Sequence, residues 1–144
     1  MIYQEVEVLI VEDNEEDAEL AIRALKKHHL ANNVVHLIDG EQALDFIFGR
    51  GDYSDRETSQ MPKVILLDLK MPKVNGLEVL QAVKSDPRTK VIPIVILTSS
   101  EEDPDIKRSY ELGANSYIVK PVEFDNFSKT VAELGMYWMV VNRV

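Results

Sequence analysis

Short apolar runs alternate with longer amphipathic stretches along this chain. Five runs rich in branched aliphatic residues have the length of strands that are buried on both faces of a parallel sheet. They are Val6 to Val11, Val34 to Ile38, Val64 to Leu67, Ile94 to Leu97, and Tyr117 to Val119. Because strands that alternate with helices favour βαβ units, the pattern predicts an α/β fold with five parallel strands.

Helical periodicity fills the segments between the predicted strands. Apolar residues recur three and four positions apart after the acidic stretch 15–17, whose charges stabilise a helix N-terminus. A fourth helix is predicted to end at Leu112 and Gly113, because glycine favours a left-handed C-terminal cap. A fifth helix is predicted to run from near Glu123 toward Met139. The second, third and fourth helices are predicted to begin near Gly40, Gly76 and Asp103.

Two segments fall outside this pattern. Gly49 to Lys63 is rich in Gly, Ser and Asp and has no apolar period, which predicts a long surface loop. Met136 to Val144 is unusually apolar for a chain end, so it either packs on the domain or forms a face for a partner. We expect one domain over residues 1–144, with a core of about 5–135 and an apolar extension over 136–144.

The composition narrows the classes of partner. The 144 residues contain 25 Asp and Glu against 16 Lys and Arg, a formal charge of −9 that disfavours nucleic acid and anionic membranes as partners. Cysteine is absent, which excludes disulfides, thiolate metal sites and a cysteine nucleophile. Neither a signal peptide nor an apolar run of membrane-spanning length is visible, so we expect a cytoplasmic protein.

Polar side chains follow four of the predicted strands. Glu12 and Asp13 come after the first strand, Asp68 after the third, Thr98 after the fourth and Lys120 after the fifth. Ligands of parallel α/β sheets bind beyond the carboxyl ends of the strands. We therefore expect three carboxylates, one hydroxyl and one ammonium to converge at one edge of the sheet.

This combination predicts metal-assisted phosphoryl transfer. Clustered carboxylates repel one another unless a cation favours their ionised forms. A few carboxylates with waters suit Mg²⁺, which usually shares its coordination with a phosphate. A lysine and a hydroxyl would then bind phosphoryl oxygens, and Asp68 would be the nucleophile that forms an aspartyl phosphate.

The four motifs around these residues resemble those of response-regulator receiver domains, in the expected order and over nearly the whole chain. They read VLIVEDN, VILLDLKMPKVNGLEVL, IPIVILTSS and GANSYIVKP. The resemblance implies the flavodoxin-like strand order 2-1-3-4-5 with helices on both faces of the sheet; the chemotaxis receiver is the standard example of that order.

Carried over by position, the resemblance makes Asp68 the phosphoacceptor. Asp13, Asp68 and the backbone carbonyl of Lys70 would bind Mg²⁺ or Mn²⁺, and Glu12 would act through water. Lys70 and Ser100 occupy positions at which receivers tune the rate of phosphate loss. Such a domain is not an enzyme, although it assists its own phosphorylation and dephosphorylation.

The resemblance also assigns the switch. Thr98 would move to bond a phosphoryl oxygen, Lys120 would pair with another, and Tyr117 would be the coupled aromatic residue. Ser99 satisfies the family's need for a small residue beside the phosphate. The Lys120-Pro121 peptide bond is predicted to be cis, as in many receivers.

The implied partners are proteins. A sensor histidine kinase would donate the phosphoryl group, and a downstream protein would bind the face made by the fourth helix, fifth strand and fifth helix. The long loop and the aromatic pair Tyr137 and Trp138 resemble the stand-alone regulators paired with bacterial phytochrome kinases, which often form homodimers. Residues expected near the downstream face are Asp105, Ile106, Arg108 and Ser109.

Alternatives remain at this point. A degenerate receiver would bind partners without phosphate, although all five site residues are present. Aspartate-nucleophile phosphatases carry a second Asp two residues after the first, where Lys70 stands here. Nucleotide-binding glycine motifs are missing, whereas flavin binding stays formally open. His28, His29 and His36 lack metal-ligand spacing and receive no role.

Overall fold

The computed structural model describes residues 8–27, 33–56, 61–71 and 74–135. Strands and helices alternate along these residues as the apolar pattern predicts. The strands are β1 (Val8–Val11), β2 (Val34–Leu37), β3 (Val64–Asp68), β4 (Ile94–Thr98) and β5 (Ser116–Val119). The helices are α1 (Glu15–Lys27), α2 (Gly40–Phe48), α3 (Gly76–Ser85), α4 (Asp105–Glu111) and α5 (Phe124–Glu133).

The five strands form one parallel sheet in the order β2-β1-β3-β4-β5, which confirms the predicted fold class. Every residue of β1, β3 and β4 is buried, because helices cover both faces of the central strands. This is why these strands read as continuous apolar runs in the sequence.

Neighbouring residues of one strand contribute to cores on opposite faces. Leu9 and Val11 belong to the core shared with α2 and α3, whereas Val8 and Ile10 belong to the core shared with α1 and α5. In the described part of the chain, no helix has the length and apolar character needed to span a membrane.

The parallel register brings the carboxyl ends of the strands to a common edge. Val11 pairs with Leu67, Asp68 pairs with Leu97, and Thr98 pairs with Val119. The residues that directly follow or end these strands therefore lie side by side.

A close approach of α3 to β3 shapes this edge. Asn75 caps α3 by accepting a hydrogen bond from the backbone N–H of Glu78 at 3.0 Å. A Cβ atom on Gly76 would lie only 2.4 Å from the backbone oxygen of Asp68. Only glycine at this position lets the helix begin directly beside the Asp68 backbone.

The predicted long loop is partly ordered by packing. A 3-10 helix forms at Gly51–Tyr53, and the Tyr53 ring meets the Phe46 ring edge-to-face at 5.2 Å. The Arg56 guanidinium lies 4.1 Å from the same ring. The sequence pattern did not reveal this anchoring, since it depends on contacts with α2; residues 57–60 lie outside the described residues.

The predicted end of the fifth helix needs correction. The fifth helix ends at Glu133, and Gly135 has a left-handed φ of 77°, so the prediction of a helix continuing toward Met139 is wrong. Ile106 and Ser109 are buried, whereas Arg108 is exposed; that these residues and Asp105 lie near the face for a downstream partner stays a prediction. The predicted cap at Gly113 is confirmed by its φ of 108°.

Some predicted features cannot be compared with the structure. The tail 136–144, with Tyr137 and Trp138, lies outside the described residues, as do His28 and His29.

The docking of α5 gives a test of this architecture. Phe127 is fully buried in the core under α1 and α5, whereas Lys129 on the same helix is exposed. Replacing Phe127 by Ala should lower the free energy of unfolding by about 3 to 5 kcal/mol, because it leaves a cavity. Urea denaturation should show a change below about 0.5 kcal/mol for the control Lys129→Ala. Equal effects of the two substitutions would contradict the packing of α5 described here.

Candidate functional site

A cavity of about 290 Å³ opens at the carboxyl edge of the sheet. Its walls come from the segments that follow β1, β3, β4 and β5. The predicted site residues Asp13, Asp68, Thr98 and Lys120 all line it, and Glu12 is buried beside them. The structure therefore brings together the five polar residues that follow the strands.

Three carboxyl groups cluster on one side of the cavity. Glu12, Asp13 and Asp68 each offer an oxygen, and these atoms lie within 4.8 Å of one another. Glu12 and Asp68 are buried, whereas Asp13 is exposed to solvent. The backbone N–H of Lys70 donates to Oδ1 of Asp68 at 3.1 Å, which fixes the carboxylate relative to the following loop.

Lys120 places a positive charge among these acids. Its Nζ lies 2.9 Å from Oε1 of Glu12, 3.0 Å from Oδ2 of Asp17 and 3.5 Å from Oδ2 of Asp68. Burial lowers the pKa of Lys120, but its hydrogen bonds to Glu12 and Asp17 and the charge of Asp68 raise that pKa above its usual value. Lys120 therefore stays an ammonium. The cis peptide bond predicted between Lys120 and Pro121 is present.

One ammonium does not balance the acidic cluster. Burial and the adjacent Asp68 raise the pKa of Glu12 to about 8, although Lys120 opposes this shift. Glu12 therefore tends to hold a proton at neutral pH. A further cation in the cavity would favour the ionised form of Glu12 and so lower its pKa.

The donor set fits a hard divalent cation. Carboxylate oxygens with open access to water are the ligands that Mg²⁺ and Mn²⁺ accept. Glu12, Asp13 and Asp68 are the acids that would hold such an ion, and the cavity leaves room for waters and a phosphate oxygen. That the carbonyl of Lys70 completes the set stays a prediction.

Thr98 lines the same cavity. Its hydroxyl donates to the backbone oxygen of Ser100 at 2.9 Å and lies 3.4 Å from Oδ2 of Asp103. Ser99, the small residue after Thr98, also lines the cavity. Tyr117 is half-buried and packs against the core under α2 and α3. Their roles in a switch are not tested by this geometry.

Two further carboxylates of the site, Asp17 and Asp103, were not predicted from the sequence. Asp17, treated there only as a charge at the start of α1, binds Lys120 from the first turn of that helix. Asp103, treated only as a helix start, accepts a hydrogen bond from the N–H of Asp105 and pairs with Lys70. The hydrogen bond from the N–H of Asp105 holds the pKa of Asp103 below its usual value, although partial burial opposes this. The contacts with Lys70 and Thr98 lower that pKa by smaller amounts. The sequence could have placed Asp17 near the site, because it follows the acidic pair Glu12 and Asp13 within about one helical turn. No feature of the sequence predicted the position of Asp103.

His36 lies near the site without contributing a side-chain ligand. Its Nε2 is 2.7 Å from the backbone oxygen of Glu12, which links the edge strand β2 to the end of β1.

Known proteins share this architecture. The family model described as "Response regulator receiver domain" matches residues 8–132. The solved structure of the bacteriophytochrome response regulator RtBRR is 51% identical, with a TM-score of 0.86, covering 96% of this chain and 83% of that one.

Two curated relatives have similar lengths. Response regulator Rcp1 of Synechocystis sp. is 37% identical over 132 residues, covering 92% of this chain and 88% of Rcp1. The Mn²⁺-bound crystal form of Rcp1 superposes with a TM-score of 0.75 at 35% identity, covering 96% of each chain. The probable methanogenesis regulatory protein FilR2 of Methanothrix harundinacea is 38% identical over 136 residues, covering 94% of this chain and 85% of FilR2.

These matches confirm the resemblance drawn from the four sequence motifs, including the similarity to phytochrome-type response regulators. With the family model spanning β1 to α5 and the acidic cavity at the expected strand ends, the chain belongs to the response regulator receiver domain family.

Proposed function

We propose that this chain is a response regulator that accepts a phosphoryl group on Asp68 from a sensor histidine kinase. One observation carries the proposal. The Asp68 carboxylate lines an open cavity, with oxygens of the acids Glu12 and Asp13 within 4.8 Å and the Lys120 ammonium 3.5 Å from its Oδ2. Phosphoryl transfer to a carboxylate requires a nucleophilic carboxylate, a nearby cation and acids that bind a metal ion, and all three kinds of group are present here.

The transfer step forms one bond and breaks another. A carboxylate oxygen of Asp68 attacks the phosphorus of a phosphohistidine, the P–N bond breaks, and the imidazole leaves with the electron pair and takes up a proton. The product is an acyl phosphate on Asp68. The signal ends by hydrolysis of this acyl phosphate. A water molecule attacks the phosphorus, the bond between phosphorus and the Asp68 oxygen breaks, and the free carboxylate and inorganic phosphate are the products.

The chain's own residues prepare this step. Lys70 N–H and Lys120 Nζ fix the two oxygens of Asp68, and Lys120 supplies positive charge to the incoming phosphoryl oxygens. Mg²⁺, when bound by the acids Glu12, Asp13 and Asp68, neutralises charge on the transferring group. Thr98 and Ser99 also line the cavity, where Thr98 can turn to bond a phosphoryl oxygen.

The output is proposed to be a change in affinity for partner proteins. Thr98 at the end of β4 and Tyr117 in β5 would couple the modified site to the face made by α4, β5 and α5. Exposed residues available there include Arg108 and Tyr110. The cytoplasmic location, the homodimer and the division into core and apolar extension stay predictions.

The central prediction concerns Asp68. Incubation with acetyl phosphate and Mg²⁺ should add the mass of one phosphoryl group to the protein, measured by intact-mass spectrometry. Asp68→Asn should stay unmodified, because an amide is not a nucleophile here, and a chelator should abolish the gain in the wild type. A folded wild type that stays unmodified even with a kinase donor would favour a receiver that binds partners without phosphate.

A second prediction concerns pH. Since the pKa of Glu12 is about 8, the site carries a proton below that pH and its full negative charge above it. Mg²⁺ affinity should therefore rise by about tenfold or more from pH 6.5 to pH 8.5, with proton release on binding, measured by isothermal titration calorimetry.

Two variants separate the titration of Glu12 from a general effect of negative charge on Mg²⁺ affinity. Glu12→Gln should make the pH profile flat, because the titrating group is gone. Glu16→Gln removes an exposed charge from α1 and should keep the slope. A wild-type affinity that does not change with pH would contradict the role assigned to Glu12.

A further inference from the structure

The cavity contains two lysines that differ in their partners. Lys120 is on the inner side, bonded to Glu12, Asp17 and Asp68. Lys70 also lines the cavity, and its Nζ lies 3.3 Å from Oδ2 of Asp103. The second cation of the cavity is thus held by an acid outside the metal-binding cluster.

Asp103 engages three groups at once. Its Oδ1 accepts a hydrogen bond from the backbone N–H of Asp105 at 2.9 Å, which fixes the carboxylate at the start of α4. Its Oδ2 faces both Lys70 and the Thr98 hydroxyl, at 3.3 and 3.4 Å. The Asp103 side chain is only 9% exposed, so it is anchored in the loop between β4 and α4.

The two groups facing Oδ2 are the kinds of group that a phosphoryl group binds, an ammonium and a hydroxyl. Their contacts with Asp103 are longer than those of Lys120 with Glu12 and Asp17, which are 2.9 and 3.0 Å, and Lys70 is 72% exposed. An exposed ion pair of this kind contributes little stability, so it can open easily. The contacts with Asp103 keep the Lys70 ammonium and the Thr98 hydroxyl beside that carboxylate without locking them.

We propose that the Asp103 carboxylate is a built-in competitor of the phosphoryl group: it pairs with Lys70, contacts the Thr98 hydroxyl, and so weakens phosphoryl binding at Asp68. This inference rests on the proposed function, because it concerns the occupant of the same site. Asp103 is a positioning residue, since it acts through Lys70 and Thr98 and touches neither the metal-binding acids nor the phosphoryl group.

The test uses beryllofluoride, a non-covalent mimic of the phosphoryl group, with saturating Mg²⁺ and ¹⁹F NMR to measure affinity. Asp103→Asn keeps an oxygen for the Asp105 N–H and places an amide NH₂ toward Lys70 and Thr98. Beryllofluoride should bind about fivefold more tightly to this variant, as expected for the loss of one competing charged contact. The control Glu102→Gln removes a neighbouring exposed charge and should leave the affinity unchanged within about twofold.

A second background separates positioning from simple charge removal. In a chain with Lys70→Met and Thr98→Val, the groups held by Asp103 are gone, so adding Asp103→Asn should have no further effect. An equal gain in both backgrounds would mean that only negative charge was removed, and it would overturn the proposal. Unchanged affinity of the single variant would overturn it as well.

The proposed function fails in a different way. If wild-type protein that binds Mg²⁺ does not take up beryllofluoride, or if Asp68→Asn takes it up equally well, the phosphoacceptor assignment is wrong and the competitor role falls with it. Far-ultraviolet circular dichroism and the Mg²⁺ titration of each variant show that the fold and the metal site are intact.

Discussion

The contact of the Lys120 ammonium with the carboxyl groups around it is the interaction on which this site depends. A parallel sheet brings the ends of its strands to one edge, and here that edge receives Glu12, Asp13 and Asp68. Without a cation these acids would repel one another or hold protons. Lys120, delivered by β5, lies between Glu12, Asp17 and Asp68 and compensates part of that charge.

The compensation is incomplete, and this gives the site its chemistry. Glu12 keeps a raised pKa, which indicates that the cavity still favours a further cation. A divalent ion would supply the missing charge and then attract an anionic phosphoryl group to Asp68. In the proposed function, Asp68 is a nucleophile whose charge Lys120 partly compensates, and phosphate would bind there only with a metal ion. Asp103 pairs with Lys70, and the Thr98 hydroxyl bonds the backbone oxygen of Ser100 and contacts Asp103, so these groups that could bind phosphoryl oxygens already have partners.

The sequence predicted the sheet and the strand-end residues because each depends on position along the chain. Buried parallel strands read as apolar runs, so the residues that follow them, such as Asp68 and Lys120, could be located at one edge. The contacts of Asp17 and Asp103 could not be predicted, since they depend on how loops and helix starts turn their side chains across the cavity. The same limit applies to Tyr53, whose packing on Phe46 orders part of a segment that reads as a loop. The end of α5 was placed too late, because the apolar residues after Gly135 outweighed the glycine in the pattern.

The most direct test of the account is the chemical identity of the modified residue. Borohydride reduces an aspartyl phosphate to homoserine, so peptide mapping of the phosphorylated, reduced protein identifies the acceptor by sequence. The account predicts homoserine at position 68 and at no other acid of the cavity. Homoserine at position 13 or 17 instead, or a phosphoryl group on a histidine or serine, would contradict the central role of Asp68.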